Sequence, residues 1–223
     1  MKLSSETYSS LLAPDAFGML ELVSESPRRG RRNYTLGQAQ PWLPGDRELW
    51  QILVCGMGGS GSTGDLLQLI ADRAGVPVLV NKSVHLPAWV GPHTLVIGVS
   101  YSGNTFETLS CLRQAQVQGA ALLGLGSGGE LASLAAEADF PMLRIEGGLP
   151  PRAALFDMLF ALLGCLEDLS LLGLNPNEII EGLNCLDRLS QDWNVLVDGP
   201  EPLPLDLARR LIDTEPMLWG GAG

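Results

Sequence analysis

Apolar residues gather in short runs that alternate with longer, helically spaced segments over the middle of the chain. The runs at 51–56 (QILVCG), 76–81 (VPVLVN), 94–100 (TLVIGVS), 120–126 and 140–146 (FPMLRIE) are nearly continuous in apolar character and are bounded by glycine or polar residues. Such runs suit strands buried on both faces. Between them, 62–74 places Leu66, Leu67, Leu69 and Ile70 at helical spacing, and 104–118 and 131–138 also read as helices. Residues 152–172 predict one long and very apolar helix, buried on most sides. Strands alternating with helices specify βαβ units, hence an α/β fold with a five-stranded, mainly parallel sheet and helices on both faces. Ligands of such sheets bind beyond the carboxyl ends of the strands, where the strand order reverses. The loops after the first and third strands are therefore the places to look.

The flanks differ. Residues 1–48 mix polar, proline and arginine-rich stretches with one short helical segment at 16–23, and are expected to form an N-terminal arm. Residues 49–174 are expected to form the sheet domain. Residues 175–223 hold two predicted helices, 175–189 (opened by Pro176) and 203–212. The final Pro216-Met-Leu-Trp-Gly-Gly-Ala-Gly223 echoes Leu53-Val-Cys-Gly-Met-Gly-Gly-Ser60. It reads either as the first strand of a second copy of the same unit or as a flexible glycine-rich tail.

Composition narrows the classes. The 223 residues are 46% hydrophobic and only 17% charged, which specifies a packed globule. The net charge of −11 opposes general attraction to nucleic acid, which needs a basic surface. Arg28-Arg29-Gly-Arg31-Arg32 is the one basic run and reads as a solvated loop. The start shows no secretory apolar core, and no apolar stretch is long enough for a membrane span. Four widely spaced cysteines without a CxxC, and only two histidines, suggest neither a disulfide framework nor a metal site. Together these predict a cytoplasmic protein without metal or cofactor.

Three segments carry candidate chemistry. Gly56-Met-Gly-Gly-Ser-Gly61 precedes a helix, whose N-terminus offers unpaired N–H donors and a positive dipole end. It also satisfies GxGxxG, a weak dinucleotide pattern on its own. Asn81 stands where a dinucleotide site needs an acid, although Lys82 could meet an NADP phosphate. Ser100-Tyr-Ser-Gly-Asn-Thr105 decides more. Three hydroxyls at i, i+2 and i+5 across a glycine turn can converge on one phosphate, whereas capping the next helix would need Thr105 alone. Finally, Arg152 ends the rigid turn Glu146-Gly-Gly-Leu-Pro-Pro-Arg152, and its partner is either an internal carboxylate or an anionic ligand.

With GMGGSGSTGDLL at 56–67, SYSGNT at 100–105 and PRAAL at 151–155, the sequence resembles a sugar isomerase (SIS) domain. In particular it is similar to the N-terminal half of bifunctional phosphoglucose/phosphomannose isomerases. The resemblance implies a flavodoxin-like SIS sheet and a sugar phosphate held by Gly58, Gly59 and Ser60 together with Ser100, Ser102 and Thr105. It gives Arg152 the catalytic task of stabilising charge that develops on the sugar oxygens. It also implies a homodimer, for which the apolar helix at 152–172 would supply a partner surface. In the family a glutamate in an N-E-N-A-K-like segment moves the proton between C1 and C2, and a histidine assists ring opening, both in a second SIS domain. His85, His93, Glu201 and Glu215 lack that context. The expectation is thus the binding half of an aldose–ketose isomerase acting on glucose, mannose and fructose 6-phosphates. A stand-alone SIS sensor of sugar phosphates without catalysis is the alternative.

Overall fold

The computed structural model describes residues 15–16, 18–42, 45–71, 73–194 and 202–217. Two compact units are present, Ser26–Asn184 and a second made from Met1–Glu25 with Cys185–Gly223. In the second unit, α1 (Met19–Ser24) opens on Asp15, whose carboxylate accepts from the N–H groups of Met19 and Leu20 at 2.8 and 2.9 Å. The Ser190 hydroxyl donates to Ser24 O at 2.8 Å, and α8 (Leu203–Arg210) follows Pro202. The echo of the first strand at the chain's end falls mainly on 218–223, outside the described residues.

The larger unit begins with α2 (Ser26–Gln38) and continues through β1 (Gln51–Cys55), α3 (Gly58–Ile70), β2 (Val78–Asn81) and β3 (Thr94–Val99). After these come α4 (Phe106–Val117), β4 (Ala121–Gly126), α5 (Gly129–Glu137), β5 (Met142–Arg144), α6 (Leu155–Leu166) and α7 (Pro176–Asp192), the last of which crosses the division at Asn184. All five strands are parallel, in the order β2-β1-β3-β4-β5. Ile52 lies opposite both Val78 and Leu95, so β1 is the strand at which the order reverses. Its carboxyl end and that of β3 are neighbours, and this places the two loops singled out by sequence side by side.

Side chains alternate across the sheet. Leu53, Cys55, Val96 and Leu122 face α4 and α5, where Leu109, Leu112, Leu131 and Leu134 complete one buried layer. Gly98 belongs to this face, and a Cβ there would lie 2.5 Å from Leu112 Cδ1. Val54 faces the other way, against α3 at Gly64. Cys55 and Cys111 are buried, as is Cys165, whose thiol is pushed up to about 11 chiefly by burial; Cys185 is exposed.

Two expectations are corrected on the α6 side. Residues 152–172 do not form one helix. Pro151–Ala154 is a 3-10 turn, α6 stops at Leu166, and a second 3-10 turn (Ser170–Leu172) ends on Gly173 in the left-handed region at φ 61°. Nor does this segment need a partner subunit to cover it. Every residue from Asp157 to Leu166 is buried within this chain, against α2, α3 and the sheet.

The basic run is not a solvated loop either. It lies within α2, which buries Ser26, Arg29, Gly30, Asn33, Tyr34 and Gly37, one face at helical spacing. Arg29 Nε donates to Asp157 Oδ2 at 3.2 Å, and Asn33 Nδ2 donates to Asp157 Oδ1 at 2.9 Å. The helices meet backbone to backbone. A Cβ on Gly37 would lie 2.2 Å from Ala161 O, and one on Gly164 would lie 2.2 Å from Tyr34 O.

Gly164→Ala is therefore expected to cost about 2–3 kcal/mol, because the blocking atom is backbone and cannot rotate away. Gly182→Ala, where an added Cβ meets nothing within 4 Å in the interior of α7, is expected to stabilise by about 0.5–1 kcal/mol. Urea unfolding of the two variants checks both signs.

Candidate functional site

Both helices that follow the switch-point strands start without a side-chain cap. The N-cap of α3 is Met57, and the N-cap of α4 is Thr105 with no side-chain capping bond. Their first N–H groups and positive dipole ends therefore face the same end of the sheet without an internal acceptor from a capping side chain. Thr105 thus occupies the N-cap position without capping the helix through its hydroxyl.

Instead its hydroxyl meets Ser100 Oγ at 2.8 Å, and Ser100 Oγ also accepts from Thr105 N–H at 3.3 Å. Ser100 is fully buried, while Ser102 is exposed, with its oxygen accepting from Asn104 N–H at 3.2 Å. Gly103 lies at φ +73°, and a Cβ on it would come within 1.8 Å of Gly128 O. Only glycine fits this turn, since both the conformation and the space exclude a side chain. Its carbonyl accepts from Leu131 N–H at 2.8 Å, and Asn104 Oδ1 accepts from Glu130 N–H at 2.9 Å. The loop is thus seated against the start of α5.

The glycine loop adjoins it. Ser60 is buried, and its Oγ accepts from Tyr101 N–H at 3.2 Å. Gly58 has a positive φ of 52°, and a Cβ on Gly59 would lie 3.4 Å from Pro151 O, so the turn that carries Arg152 lies against this loop. Gly58, Gly59, Ser60, Ser100, Ser102, Thr105 and Arg152 thereby come from three neighbouring segments. Arg152 is exposed, and no carboxylate among the described residues pairs with it.

Three of the carboxylates nearby are committed elsewhere, whereas Glu107 in the first turn of α4 has no cation partner among the described residues. Asp65 pairs with Lys82 Nζ at 2.5 Å, Glu146 pairs with Arg32, and Asp157 holds the buried Arg29. The first pairing also weighs against the dinucleotide reading. Lys82 is turned to Asp65, and Asn81, an amide where a ribose would need a carboxylate, has its Nδ2 engaged with His85 O at 3.1 Å and Cys111 Sγ at 3.3 Å.

Sequence reasoning passed over Tyr101 and the α2 residues. Tyr101 is 7% exposed; its phenol accepts from Leu149 N–H at 2.8 Å and donates to Glu146 O at 3.2 Å. Burial, with Asp157 and Glu146 adding to it, raises its pKa against the opposing Leu149 N–H and Arg29, so the phenol keeps its proton at neutral pH. Its place inside SYSGNT was the available signal. Arg29 Nη2 donates to Ala153 O at 3.0 Å, next to Arg152.

The Ser60 and Ser102 hydroxyls differ in what depends on them. Without ligand, Ser60→Ala is expected to destabilise by about 1–3 kcal/mol because Tyr101 N–H loses its buried acceptor. Ser102→Ala is expected to stay within about 0.5 kcal/mol of wild type. Thermal and urea unfolding compare the two.

No protein-family model matches the chain. It is 32% identical over 206 residues to the bifunctional phosphoglucose/phosphomannose isomerase of Caldicellulosiruptor bescii, covering 92% of this chain and 61% of that protein. It is 40% identical over 103 residues to the enzyme of the same name from Thermoplasma acidophilum, covering 46% of this chain and 31% of that protein. The chain thus spans less than two thirds of the length of either relative. Among solved structures it superposes on the C-terminal domain of glucosamine-fructose-6-phosphate aminotransferase from Francisella tularensis with TM-score 0.59 and 18% identity, covering 81% of this chain and 56% of that one. The tagatose-6-phosphate ketose/aldose isomerase of Escherichia coli gives TM-score 0.57 and 19% identity, covering 77% and 51%. No described helix is long and apolar enough to cross a membrane. The chain is a homologue of the bifunctional phosphoglucose/phosphomannose isomerases and has the fold of SIS-domain phosphosugar isomerases.

Proposed function

We propose that the chain is the sugar-phosphate-binding domain of an aldose–ketose isomerase that interconverts glucose or mannose 6-phosphate and fructose 6-phosphate. The convergence of the Ser100 and Thr105 hydroxyls at 2.8 Å, beside two uncapped helix N-termini, carries this reading. The phosphate accepts from N–H groups of the Gly58–Gly59–Ser60 turn and from the hydroxyls of Ser100, Ser102 and Thr105. Neutral donors and helix dipoles hold a dianion reversibly, without the fixed charge of an arginine cluster. Arg152, lacking an internal partner among the described residues, points to the sugar end, where it balances negative charge.

Isomerisation at C1 and C2 removes a proton next to a carbonyl and passes through a cis-enediolate. That needs a carboxylate base and an electrostatic stabiliser of the oxyanion. Arg152 supplies the second. Asp65, Glu146 and Asp157 cannot readily supply the first, because each is held by a cation. On this reading the base comes from a second SIS domain, which residues 175–223 lead into, and the whole cytoplasmic enzyme is a homodimer. The same pairing of the carboxylates also favours a second reading, in which a lone SIS module senses the sugar phosphate.

A thermal-shift titration with fructose 6-phosphate tests binding, since a ligand of the folded state at 100 times its Kd adds about 2.7 kcal/mol of apparent stability. Ser102→Ala is expected to weaken the response about tenfold or more, and Ser100→Ala/Ser102→Ala to abolish it. A response to NADP alone would overturn the reading. In a coupled assay the 223-residue chain is expected to show no efficient isomerase turnover, and rapid turnover would show that the base lies within it.

A further inference from the structure

The segment that carries Arg152 is stiff at Pro150 and Pro151, just before the arginine, but not at its start. It begins with Gly147 and Gly148, the latter at φ +94°, and an added Cβ on Gly148 would meet nothing within 4 Å. Two adjacent glycines leave a wide range of backbone conformations open. The following 3-10 turn is only four residues long. Something outside the segment must choose one conformation.

The phenol of Tyr101 does so from the upstream side. It takes the N–H of Leu149 and gives its proton to the carbonyl of Glu146, one bond at each end of the glycine pair. Tyr101 is itself pinned within the phosphate loop. Its backbone N–H goes to Ser60 Oγ at 3.2 Å, and its carbonyl accepts from Ser127 N–H at 2.9 Å and Ser127 Oγ at 2.7 Å. On the downstream side, Arg29 Nη2 holds Ala153 O at 3.0 Å, with Asp157 and Asn33 behind it. One residue therefore belongs both to the loop that receives the phosphate and to the turn that presents the cation.

We propose that Tyr101 is a positioning residue that sets the separation between the phosphate subsite and Arg152, and thereby selects a phosphorylated sugar over bare phosphate. The inference rests on the sugar-phosphate reading above. Inorganic phosphate needs only the donors of the two loops, which the backbone of Tyr101 supports. A sugar phosphate must also reach Arg152, and that reach depends on the length of the phenol clasp.

Tyr101→Phe keeps the ring and the backbone bonds and removes only the clasp. In isothermal titration of the full chain, wild type is expected to prefer fructose 6-phosphate to inorganic phosphate. In Tyr101→Phe, phosphate affinity stays within about twofold while fructose 6-phosphate affinity falls about fivefold or more. Arg152→Ala should then cost fructose 6-phosphate affinity less in the Tyr101→Phe background than in wild type, the non-additivity of coupled residues. Gly148→Ala, which strains the same turn while sparing the phenol, provides a second route to the same loss. If both variants retain the full wild-type preference, the inference is overturned while the sugar-phosphate reading stands. Equal weakening of both ligands also overturns it, because the phenol would then merely support the loop. A wild-type chain with no preference for fructose 6-phosphate overturns the sugar-phosphate reading and this inference together.

Discussion

The backbone contact between α2 and α6 governs the rear of the site. Because Gly37 and Gly164 carry no side chain, the two helices approach until an added Cβ would lie 2.2 Å from the facing carbonyl. At that separation Arg29 and Asn33 reach Asp157 with little water between them; Arg29 is 8% and Asp157 2% exposed. A buried charge is costly unless it is paired and hydrogen-bonded, and here the carboxylate receives both Arg29 and Asn33. The guanidinium then has a further donor to spend on Ala153 O. The position of the exposed Arg152 turn thus traces back to two glycines in a helix crossing behind it.

The sheet supplies the complementary constraint. Reversal of the order at β1 sets two strand ends side by side, and each continues into a helix whose first turn lacks a side-chain cap. The first residues of these helices, Gly58 and Phe106, are exposed, so their N–H groups are open to water or to an anion. The hydroxyls of Ser100 and Thr105 meet beside them. Elsewhere the loops are stitched to one another, through Ser60 to Tyr101 and Asn104 to Glu130. These cross-links hold the loop donors in place, and donors held by the protein itself bind at a lower ordering cost.

The fold was legible because strand burial leaves a strong trace. Runs such as QILVC and TLVIGV are apolar enough to need cover on both faces, and the structure places strands at all five predicted positions. Boundaries were less legible. Gly58–Ile70 begins its helix inside the glycine loop, four residues before the apolar periodicity starts at 62. The α2 face was invisible for a different reason. Apart from Pro27 and Tyr34 it is built from Ser26, Arg29, Gly30, Asn33 and Gly37, types that carry little apolar signal, so four arginines in five residues read as solvent-facing. Which arginine is buried depends on Asp157, more than a hundred positions away, and local spacing cannot show that. Tyr101 was hidden similarly, since its value lies in reaching Glu146 and Leu149 across the fold.

The thiols have a practical consequence. Cys55 and Cys111 are packed between the sheet and α4, Cys165 is sealed beside Gln40 O, and Cys185 alone among the four is exposed. A maleimide reagent, selective for thiols at neutral pH, thus meets one accessible thiol in the folded chain. The wild-type sequence already carries a single-point handle for a dye, a spin label or a sensor surface, without cysteine substitutions that would disturb the packed layers of the sheet.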